Sequence, residues 1–465
     1  MKISRKLIII IAVIGISGLA QCCAPHPQTC TDEFPARWIF MERNTTLYAG
    51  NWTADRHFIN TMNGSPAQIT AVRDKSRETI PFYYEDVNGS PFVGTLCEND
   101  FLLFSVPVKN LGKGSNIEIE AVLISSSDSP KYFIIEYLEA GKWKSIPENL
   151  RPIPEKPYLK YSFACSGIAK GANHEYTSVY QTFRLGRKIN GGSLKIRFRA
   201  TGGITCSGRP QDPHSPDGAI GLAGHGFNGA YIQNYGLSVP ADTTRILCIG
   251  NSFTYFSNAP SMLKEIAWSQ GHYFNIRAHL KGGQTLGQHR GLTLTANEIS
   301  YGNYDIAILQ DQSQNPARYA AEPEKYGNVP LDYLALSDMV LEYSPECRII
   351  LEQTWAYPAQ ESGGFGDYMT FTGLLDEGTH YMAGQNGGEV SPIGKAFEIV
   401  FNENRGIRLY DTDNKHQSHY GTYLKACVNY IMITGQTFNG TPADCGLEPE
   451  KAAYLRKVAE TVVFN

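Results

Sequence analysis

The first half of the chain, from about residue 31 to 240, consists of short apolar runs separated by turns. Ser193-Leu-Lys-Ile-Arg-Phe-Arg199 alternates apolar and polar residues with a period of two, as a strand with one buried face does. Other strand-like runs are Phe101–Val108, Ile117–Ile124, Tyr132–Tyr137 and Ala230–Val239, whereas residues 210–229 are rich in Gly, Asp and His and predict a long loop. Many short strands with almost no helical periodicity predict an all-β sandwich here.

The pattern changes in residues 242–465, where apolar runs alternate with helical segments. Predicted strands are Arg245–Gly250, Phe274–Leu280, Tyr304–Leu309, Arg348–Leu351 and Ile407–Tyr410, and predicted helices are Ala259–Gln270, Leu331–Tyr343 and Tyr420–Thr434. This alternation predicts an α/β domain with a parallel sheet covered on both faces. Reactive groups are expected at the carboxyl ends of its strands.

Length and charge agree with two domains and exclude one class of partner. The chain has 465 residues, more than a single hydrophobic core accommodates. Its formal net charge of −4 provides no basic surface for nucleic acid. We therefore expect a catalytic or binding protein that does not act on nucleic acid.

The amino terminus has the layout of a secretion signal. Lys2, Arg5 and Lys6 precede an apolar run from Leu7 to Ala20. The run leads into a Leu-Ala-Gln-Cys sequence that resembles a bacterial lipobox, with Cys22 as the lipid acceptor. Residues 1–22 are thus predicted to be a lipoprotein signal peptide, and the protein to be exported and anchored to a membrane at the cell surface or in the periplasm. A buried N-terminal helix or an uncleaved anchor is the alternative.

Export to an oxidising compartment allows the remaining cysteines to form disulfides. Cys165 and Cys206 form one candidate pair, and Cys427 and Cys445 form another, but the sequence leaves the connectivity open. Cys248 lies within an apolar strand, where a buried thiol is expected.

Four polar segments follow apolar strands or precede the last predicted helix: Gly250–Thr254, Lys281–Thr285, Leu309–Gln314 and Asp413–His416. Ser252 stands between a strand and a helix, where backbone N–H groups favour negative charge, although a serine there can also simply cap the helix. Gly282 and Gly283 allow a ligand to approach the backbone closely, or make a turn. Asp413 can orient the imidazole of His416 so that its other nitrogen acts as a base.

A metal site is the competing interpretation of the last segment. Asp411, Asp413, His416 and His419 are potential ligands, but their spacing matches no strong metal signature. Neither a metal nor another cofactor is expected.

Together these segments resemble the SGNH, or GDSL-like, serine hydrolase family. Gly250-Asn251-Ser252-Phe253 is similar to the first block, with Asn251 in place of the more usual Asp, as in a bacterial branch with a Gly-Asn-Ser-Phe block. In the same order, Gly283 matches the glycine of the second block, Gln312 stands near the position of the third block's Asn, and Asp413 with His416 matches the final Asp-x-x-His. The resemblance implies a three-layer, flavodoxin-like hydrolase domain, and the first half is similar to the jelly-roll modules of bacterial carbohydrate-active enzymes.

The resemblance also implies a mechanism. Ser252 attacks an ester carbonyl, His416 takes its proton, and Asp413 holds the imidazole. The oxyanion is bound by the N–H groups of Ser252 and Gly283 and by the side-chain amide of Gln312, with Gln310 as a substitute for Gln312.

Further side chains and the substrate are less tightly constrained. Trp355 follows a predicted strand and is either a platform for a sugar ring or a core residue. Gln310 and Asn251 are candidate substrate contacts. The expected substrate is an acetylated carbohydrate, by family analogy. The alternatives are a lipase or thioesterase acting on small acyl esters, an acyltransferase, and a surface glycan-binding lipoprotein without activity.

Overall fold

The computed structural model describes the residues 36–39, 51–53, 68–77, 79–80, 82–84, 91–93, 96–108, 110–125, 129–146, 150–165, 175–211, 225–234, 243–358 and 364–464. The strands are β1 (Ala36–Ile39), β2 (Asn51–Thr53), β3 (Gln68–Val72), β4 (Thr79–Ile80), β5 (Phe82–Tyr84), β6 (Pro91–Val93), β7 (Phe101–Pro107), β8 (Asn110–Leu111), β9 (Asn116–Ser125), β10 (Pro130–Glu139), β11 (Lys142–Ser145), β12 (Arg151–Ile153), β13 (Lys156–Tyr161), β14 (Phe163–Ala164), β15 (Glu175–Arg184), β16 (Ile189–Asn190), β17 (Ser193–Thr205), β18 (His225–Asn234), β19 (Thr244–Gly250), β20 (Phe274–Lys281), β21 (Ile306–Leu309), β22 (Arg348–Glu352) and β23 (Glu389–Ser391). The helices are α1 (Ser252–Tyr255), α2 (Ala259–Ser269), α3 (Leu286–His289), α4 (Thr293–Ser300), α5 (Asn315–Ala321), α6 (Asn328–Tyr343), α7 (Tyr368–Gly384), α8 (Ile393–Glu403), α9 (His419–Thr434) and α10 (Pro449–Phe464), and a 3₁₀ turn covers Phe256–Asn258.

A parallel sheet in the order β23-β22-β21-β19-β20 forms the centre of the second half. The strands β19, β21 and β22 are buried on both faces, which explains why they are apolar runs, whereas β20 alternates apolar and polar residues and is only partly buried. In β19, Ile246 and Cys248 join a core cluster shared with α2, α8, α9 and α10, whereas Leu247 and Ile249 join a second cluster shared with α4 and α6. Helices therefore cover both faces, and the predicted α/β fold with a parallel sheet is confirmed.

Antiparallel strands make up the first half. The parallel sheet continues through the antiparallel pair β20–β15 into β9, β18, β6 and β5. A second antiparallel sheet has the order β11-β10-β17-β7-β3-β2. Ile119 and Val179 from the first sheet share one buried cluster with Phe104, Ile135 and Phe198 from the second. The two sheets therefore pack on a common apolar core.

A strand pairing and a buried ion pair join the two halves. The pairing of β15 with β20 makes one continuous sheet, and the buried Lys264 ammonium lies 2.5 Å from the Glu118 carboxylate across the junction. The predicted division into domains at residues 31–240 and 242–465, and the jelly-roll character of the first, stay predictions.

Several elements differ from the sequence expectations, among them the helices α4, α5, α7 and α8, which the sequence analysis does not predict. Ile407–Tyr410 forms no strand, because the chain turns back at this point: Ser418 N donates to Leu409 O, and Tyr410 makes only an isolated bridge with Gln417. β18 begins at His225, inside the predicted loop 210–229. Finally, α9 is followed by a further helix, α10, which contributes to the core cluster on its side of the sheet.

Neither candidate cysteine pair forms a disulfide in the described residues. The thiol of Cys206 instead donates to the carbonyl oxygens of Pro130 and Cys165, at 3.6 and 3.5 Å. Cys248 is buried in β19, as expected.

The predicted signal peptide and its lipid acceptor Cys22 lie outside the described residues, and they stay predictions. Among the helices that the structure describes, none is long and apolar enough to cross a bilayer.

Candidate active site

Ser252, His416 and Asp413 form a hydrogen-bonded line at the carboxyl end of β19. Ser252 Oγ lies 2.8 Å from His416 Nε2, and His416 Nδ1 lies 2.5 Å from Asp413 Oδ2. Ser252 is the first residue of α1, and the other two belong to the loop before α9. Residues 164 positions apart thus meet within one hydrogen bond. This is the arrangement in which a base can take the serine proton.

Asp413 is held in place by its own loop. Its Oδ1 accepts the backbone N–H groups of Lys415 and His416 at 2.9 and 3.0 Å, which leaves Oδ2 for the imidazole. Partial burial alone would raise the pKa of Asp413, but the hydrogen bonds and the charge of His416 lower it to well below the ordinary range. Asp413 therefore remains a carboxylate at any working pH and accepts the Nδ1 proton.

Two aromatic rings fix the plane of the imidazole. The ring of Phe256 stacks on His416 with centroids 4.0 Å apart and an angle of 6° between the planes. The ring centroid of Phe253 lies 5.2 Å from that of the same imidazole. Both residues belong to residues 251–256, which we call the nucleophile turn after the role predicted for Ser252. This turn therefore also orients the imidazole of His416.

Asn251 ties the nucleophile turn to two neighbouring loops. Its Oδ1 accepts the N–H of Phe253 at 3.1 Å and caps α1, while its Nδ2 donates to Gln284 O at 2.9 Å and to Asp311 O at 3.3 Å. With only 2% of its surface exposed, Asn251 is not available to a substrate. The structure therefore corrects the expected substrate contact to a capping and positioning role.

Gln310 holds the same turn from the other side. Its buried Oε1 accepts the Asn251 N–H at 2.9 Å and the Thr254 hydroxyl at 3.0 Å. Gln310 is thus placed as a support of the turn and not as a substrate or oxyanion contact. The N–H groups of Asn251 and Phe253 are both bonded. The Ser252 N–H between them has no acceptor in the described part of the chain.

The other two expected oxyanion donors, Gly283 and Gln312, each stand next to a residue whose carbonyl accepts a hydrogen bond from Asn251. Gly283 has a φ of +69° and is exposed, and the next residue, Gln284, is held by Asn251. The Oε1 of Gln312 accepts the Gln314 N–H at 2.9 Å. This bond fixes the Gln312 side chain with its amide nitrogen as the group that remains to donate.

Asp311 is a buried carboxylate that the sequence analysis did not single out. Its Oδ1 accepts the N–H groups of Leu286 and Gln312 at 2.9 and 2.7 Å, and its Oδ2 accepts Asn315 Nδ2 at 3.2 Å. Burial raises the pKa of Asp311 to about 6, although these hydrogen bonds lower it. Asp311 joins the loops that carry Gly283 and Gln312.

Trp355 belongs to the core and not to a sugar platform. Its ring is stacked between Phe253 and Phe397, with centroid distances of 4.6 and 4.3 Å, and only 1% of it is exposed. Its Nε1 donates to Lys415 O at 3.0 Å. The structure thus rejects the substrate-binding interpretation, and Trp355 supports the loop of the catalytic base.

A buried ion pair lies beneath the nucleophile turn. Lys425 Nζ lies 2.5 Å from Glu352 Oε2, and each side chain is only 2% exposed. The same ammonium donates to Phe253 O at 2.9 Å, and Glu352 Oε1 accepts Asn429 Nδ2 at 2.7 Å. Two sequence signals indicate buried charges here. Glu352 ends an apolar strand, and Lys425 lies inside the apolar helix α9.

The alternative metal ligands do not come together. His419 Nε2 lies 2.7 Å from Cys445 O, whereas His416 bonds Asp413 and Ser252. Within the described residues, no group of three His, Cys, Asp or Glu side chains could hold a metal ion.

Comparisons with known proteins give weak structural similarity only. No protein-family model and no curated protein sequence matches the chain significantly. Among solved structures, a DUF4886 family protein from Bacteroides uniformis is 19% identical, with a TM-score of 0.39 over 48% of this chain and 95% of that one. A putative GDSL-like lipase from Parabacteroides merdae is 15% identical, with a TM-score of 0.33 over 43% and 98%. A family two carbohydrate esterase from Cellvibrio japonicus is 10% identical, with a TM-score of 0.29 over 92% and 99%. These values decide neither activity nor substrate.

Proposed function

We propose that the protein is a serine esterase of the SGNH type, with Ser252, His416 and Asp413 as its catalytic residues. The observation that carries the proposal is the continuous line of two hydrogen bonds from Ser252 Oγ through the imidazole to Asp413 Oδ2, at 2.8 and 2.5 Å. Ser252 also stands at the start of a helix, where developing negative charge is favoured.

The proposed reaction proceeds through an acyl-enzyme. Ser252 Oγ attacks the ester carbonyl while His416 Nε2 takes the hydroxyl proton, and His416 returns this proton to the leaving alcohol. Water then attacks the acyl group, losing a proton to His416, and the acid leaves as Ser252 recovers its hydrogen. Asp413 stays ionised and stabilises the imidazolium at both stages.

The oxyanion is proposed to be bound by the N–H groups of Ser252 and Gly283 and by Gln312 Nε2. The support for Ser252 is that its N–H is the unbonded one between two bonded neighbours in the described turn. The support for Gly283 and Gln312 is that their neighbours Gln284 and Asp311 accept hydrogen bonds from Asn251, the residue before Ser252. A preorganised donor set of this kind is the largest single contribution in many acyl-transfer enzymes.

Hydrolysis of 4-nitrophenyl acetate tests the proposal. The wild-type protein is expected to release 4-nitrophenol, and the Ser252→Ala variant is expected to lose this activity. The exposed Ser300 provides the matched control, because Ser300→Ala removes the same hydroxyl far from the triad. Equal rates for the wild type and Ser252→Ala, both at the uncatalysed background, would refute the esterase and favour a glycan-binding protein without activity.

The natural substrate is proposed to be an acetylated carbohydrate, met by an exported enzyme that is anchored through Cys22. The antiparallel half, proposed to be a jelly-roll-like β-sandwich, would then carry a carbohydrate-binding surface. Release of acetate from acetylated xylan or pectin, with little activity on longer acyl esters, would support this substrate over the lipase or thioesterase alternative. Radiolabelling of the lipid on the full chain, and its loss in Cys22→Ala, tests the anchor.

A further inference from the structure

The active-site loop carries a lysine whose charge is not neutralised by a neighbour. Lys415 lies between Asp413 and His416, and its backbone N–H and C=O are bonded to Asp413 and Trp355. Its ammonium lies 5.4 Å from the ring centroid of Tyr357. Its side chain makes no hydrogen bond or ion pair in the described part of the chain, although it is half-buried.

A second half-buried cation lies in the helix that follows β21. Arg318, in α5, donates from Nη2 to Gln314 Oε1 at 2.7 Å and forms no ion pair with the described carboxylates. The Tyr357 hydroxyl bonds Ser313, next to Gln314, so the ring under Lys415 also contacts the loop that leads to Arg318. Lys415 and Arg318 are thus linked through one buried tyrosine: Lys415 lies over its ring, and Arg318 bonds the residue next to the serine that its hydroxyl contacts.

The charges at this position do not balance. Burial lowers the pKa of Lys415, Asp413 raises it, and the positive charge of Arg318 lowers it again, so the net pKa is below that of an ordinary lysine. Asp413 is the nearby carboxylate, but both of its oxygens are already bonded to its own loop and to His416. Two half-buried cations, neither of them bonded to a described carboxylate, are therefore held on segments that Tyr357 joins beside the proposed triad, an arrangement that a bound anion would stabilise.

We propose that the ester substrate carries a carboxylate, which binds between Lys415 and Arg318 while its ester group lies at Ser252. The substrate class is then an O-acetylated sugar acid instead of a neutral sugar. This inference rests on the proposed esterase function and adds the substrate charge to it.

Matched substrates that differ only in charge test this inference. We would measure acetate release from O-acetylated galacturonic, glucuronic and sialic acids and from the corresponding neutral amides. For at least one pair, kcat/KM for the acid is expected to exceed that for the amide by about tenfold or more, the value of a charge-assisted contact. Equal or lower kcat/KM for the acid in all three pairs would overturn the inference.

Substitutions assign the preference to the two cations. Lys415→Met and Arg318→Met should each reduce the acid-to-amide ratio toward one, and Lys415→Arg should preserve most of it because the charge remains. The exposed Lys457 gives the control, since Lys457→Met should leave the ratio unchanged. An unchanged ratio in both Lys415→Met and Arg318→Met would contradict the inference. Activity that survives Ser252→Ala would instead refute the proposed serine mechanism at Ser252, so the two failures are distinguishable.

Discussion

The ammonium of Lys425 lies 2.5 Å from the carboxylate of Glu352, and the same ammonium donates to the carbonyl of Phe253, the residue after the nucleophile. α9 and β22 are thereby connected to the turn that carries Ser252. A buried ion pair is seldom a net source of stability, but removing one partner leaves a buried charge without compensation. The pair therefore makes the position of the nucleophile turn depend on the folded core.

Lys425→Met is expected to lower the free energy of unfolding by about 3–5 kcal/mol, because Glu352 is left as an uncompensated buried charge. Denaturant unfolding of the variant checks this value, with the exposed Lys457→Met as the control. The double variant Lys425→Met/Glu352→Met should recover part of the loss. If Lys425→Met unfolds at the same denaturant concentration as the wild type, the pair is not buried as described.

Asn251→Asp should be harmful here, although Asp is the more usual residue in the family that the first block resembles. Asn251 Nδ2 donates to the carbonyl oxygens of Gln284 and Asp311, and a carboxylate would face both without a proton to donate. The expected loss is about 1–3 kcal/mol in unfolding free energy, with a fall in kcat. Thermal unfolding and steady-state kinetics check this, with the exposed Asn402→Asp as the matched control. An Asp variant as stable and active as the wild type would contradict the donor role.

Gln312→Ala should lower kcat by about 100- to 1,000-fold with little change in KM, because an oxyanion donor acts mainly in the transition state. The exposed Gln385→Ala serves as the control in the same assay. A rise in KM with unchanged kcat would assign Gln312 to ground-state binding of the substrate instead.

The stability of the protein should depend on Asp413 in a pH-dependent way. Its pKa is lower in the folded protein than in the unfolded chain, so its ionisation stabilises the fold above the ordinary aspartate pKa, and this contribution is lost as the pH falls below it. The difference in Tm between wild type and Asp413→Asn should therefore be larger at pH 7 than at pH 3. A difference that stays constant or grows toward low pH would contradict the assigned hydrogen bonds.

Much of the site could be predicted from the sequence because parallel strands bring their carboxyl ends to one edge. The position of Ser252 after an apolar strand and the short spacing of Asp413 and His416 lead to the hydrogen-bonded line that the structure contains, whereas the oxyanion roles of Gly283 and Gln312 stay predictions. The predicted strand at 407–410 failed, since its apolar residues face the core from a loop that turns back on itself.

The supporting contacts could not be predicted because they join distant segments. The sequence allows Trp355 to be either a core residue or a sugar platform, and the positions of Phe253 and Phe397 on the two faces of its ring decide for the core. Likewise, nothing local to Glu352 or Lys425 indicates that their side chains meet. The edge pairing of β15 with β20 also depends on strands from both halves, and edge pairing leaves little trace in the sequence.

Labelling with a fluorophosphonate, which reacts with activated serine hydroxyls, tests the central claim most directly. Peptide mass mapping of the wild-type protein should find one adduct, on Ser252, and the adduct should be absent in Ser252→Ala and form far more slowly in His416→Ala. A protein that hydrolyses esters yet carries its adduct on another residue, or none, would contradict the assignment of Ser252 as the nucleophile.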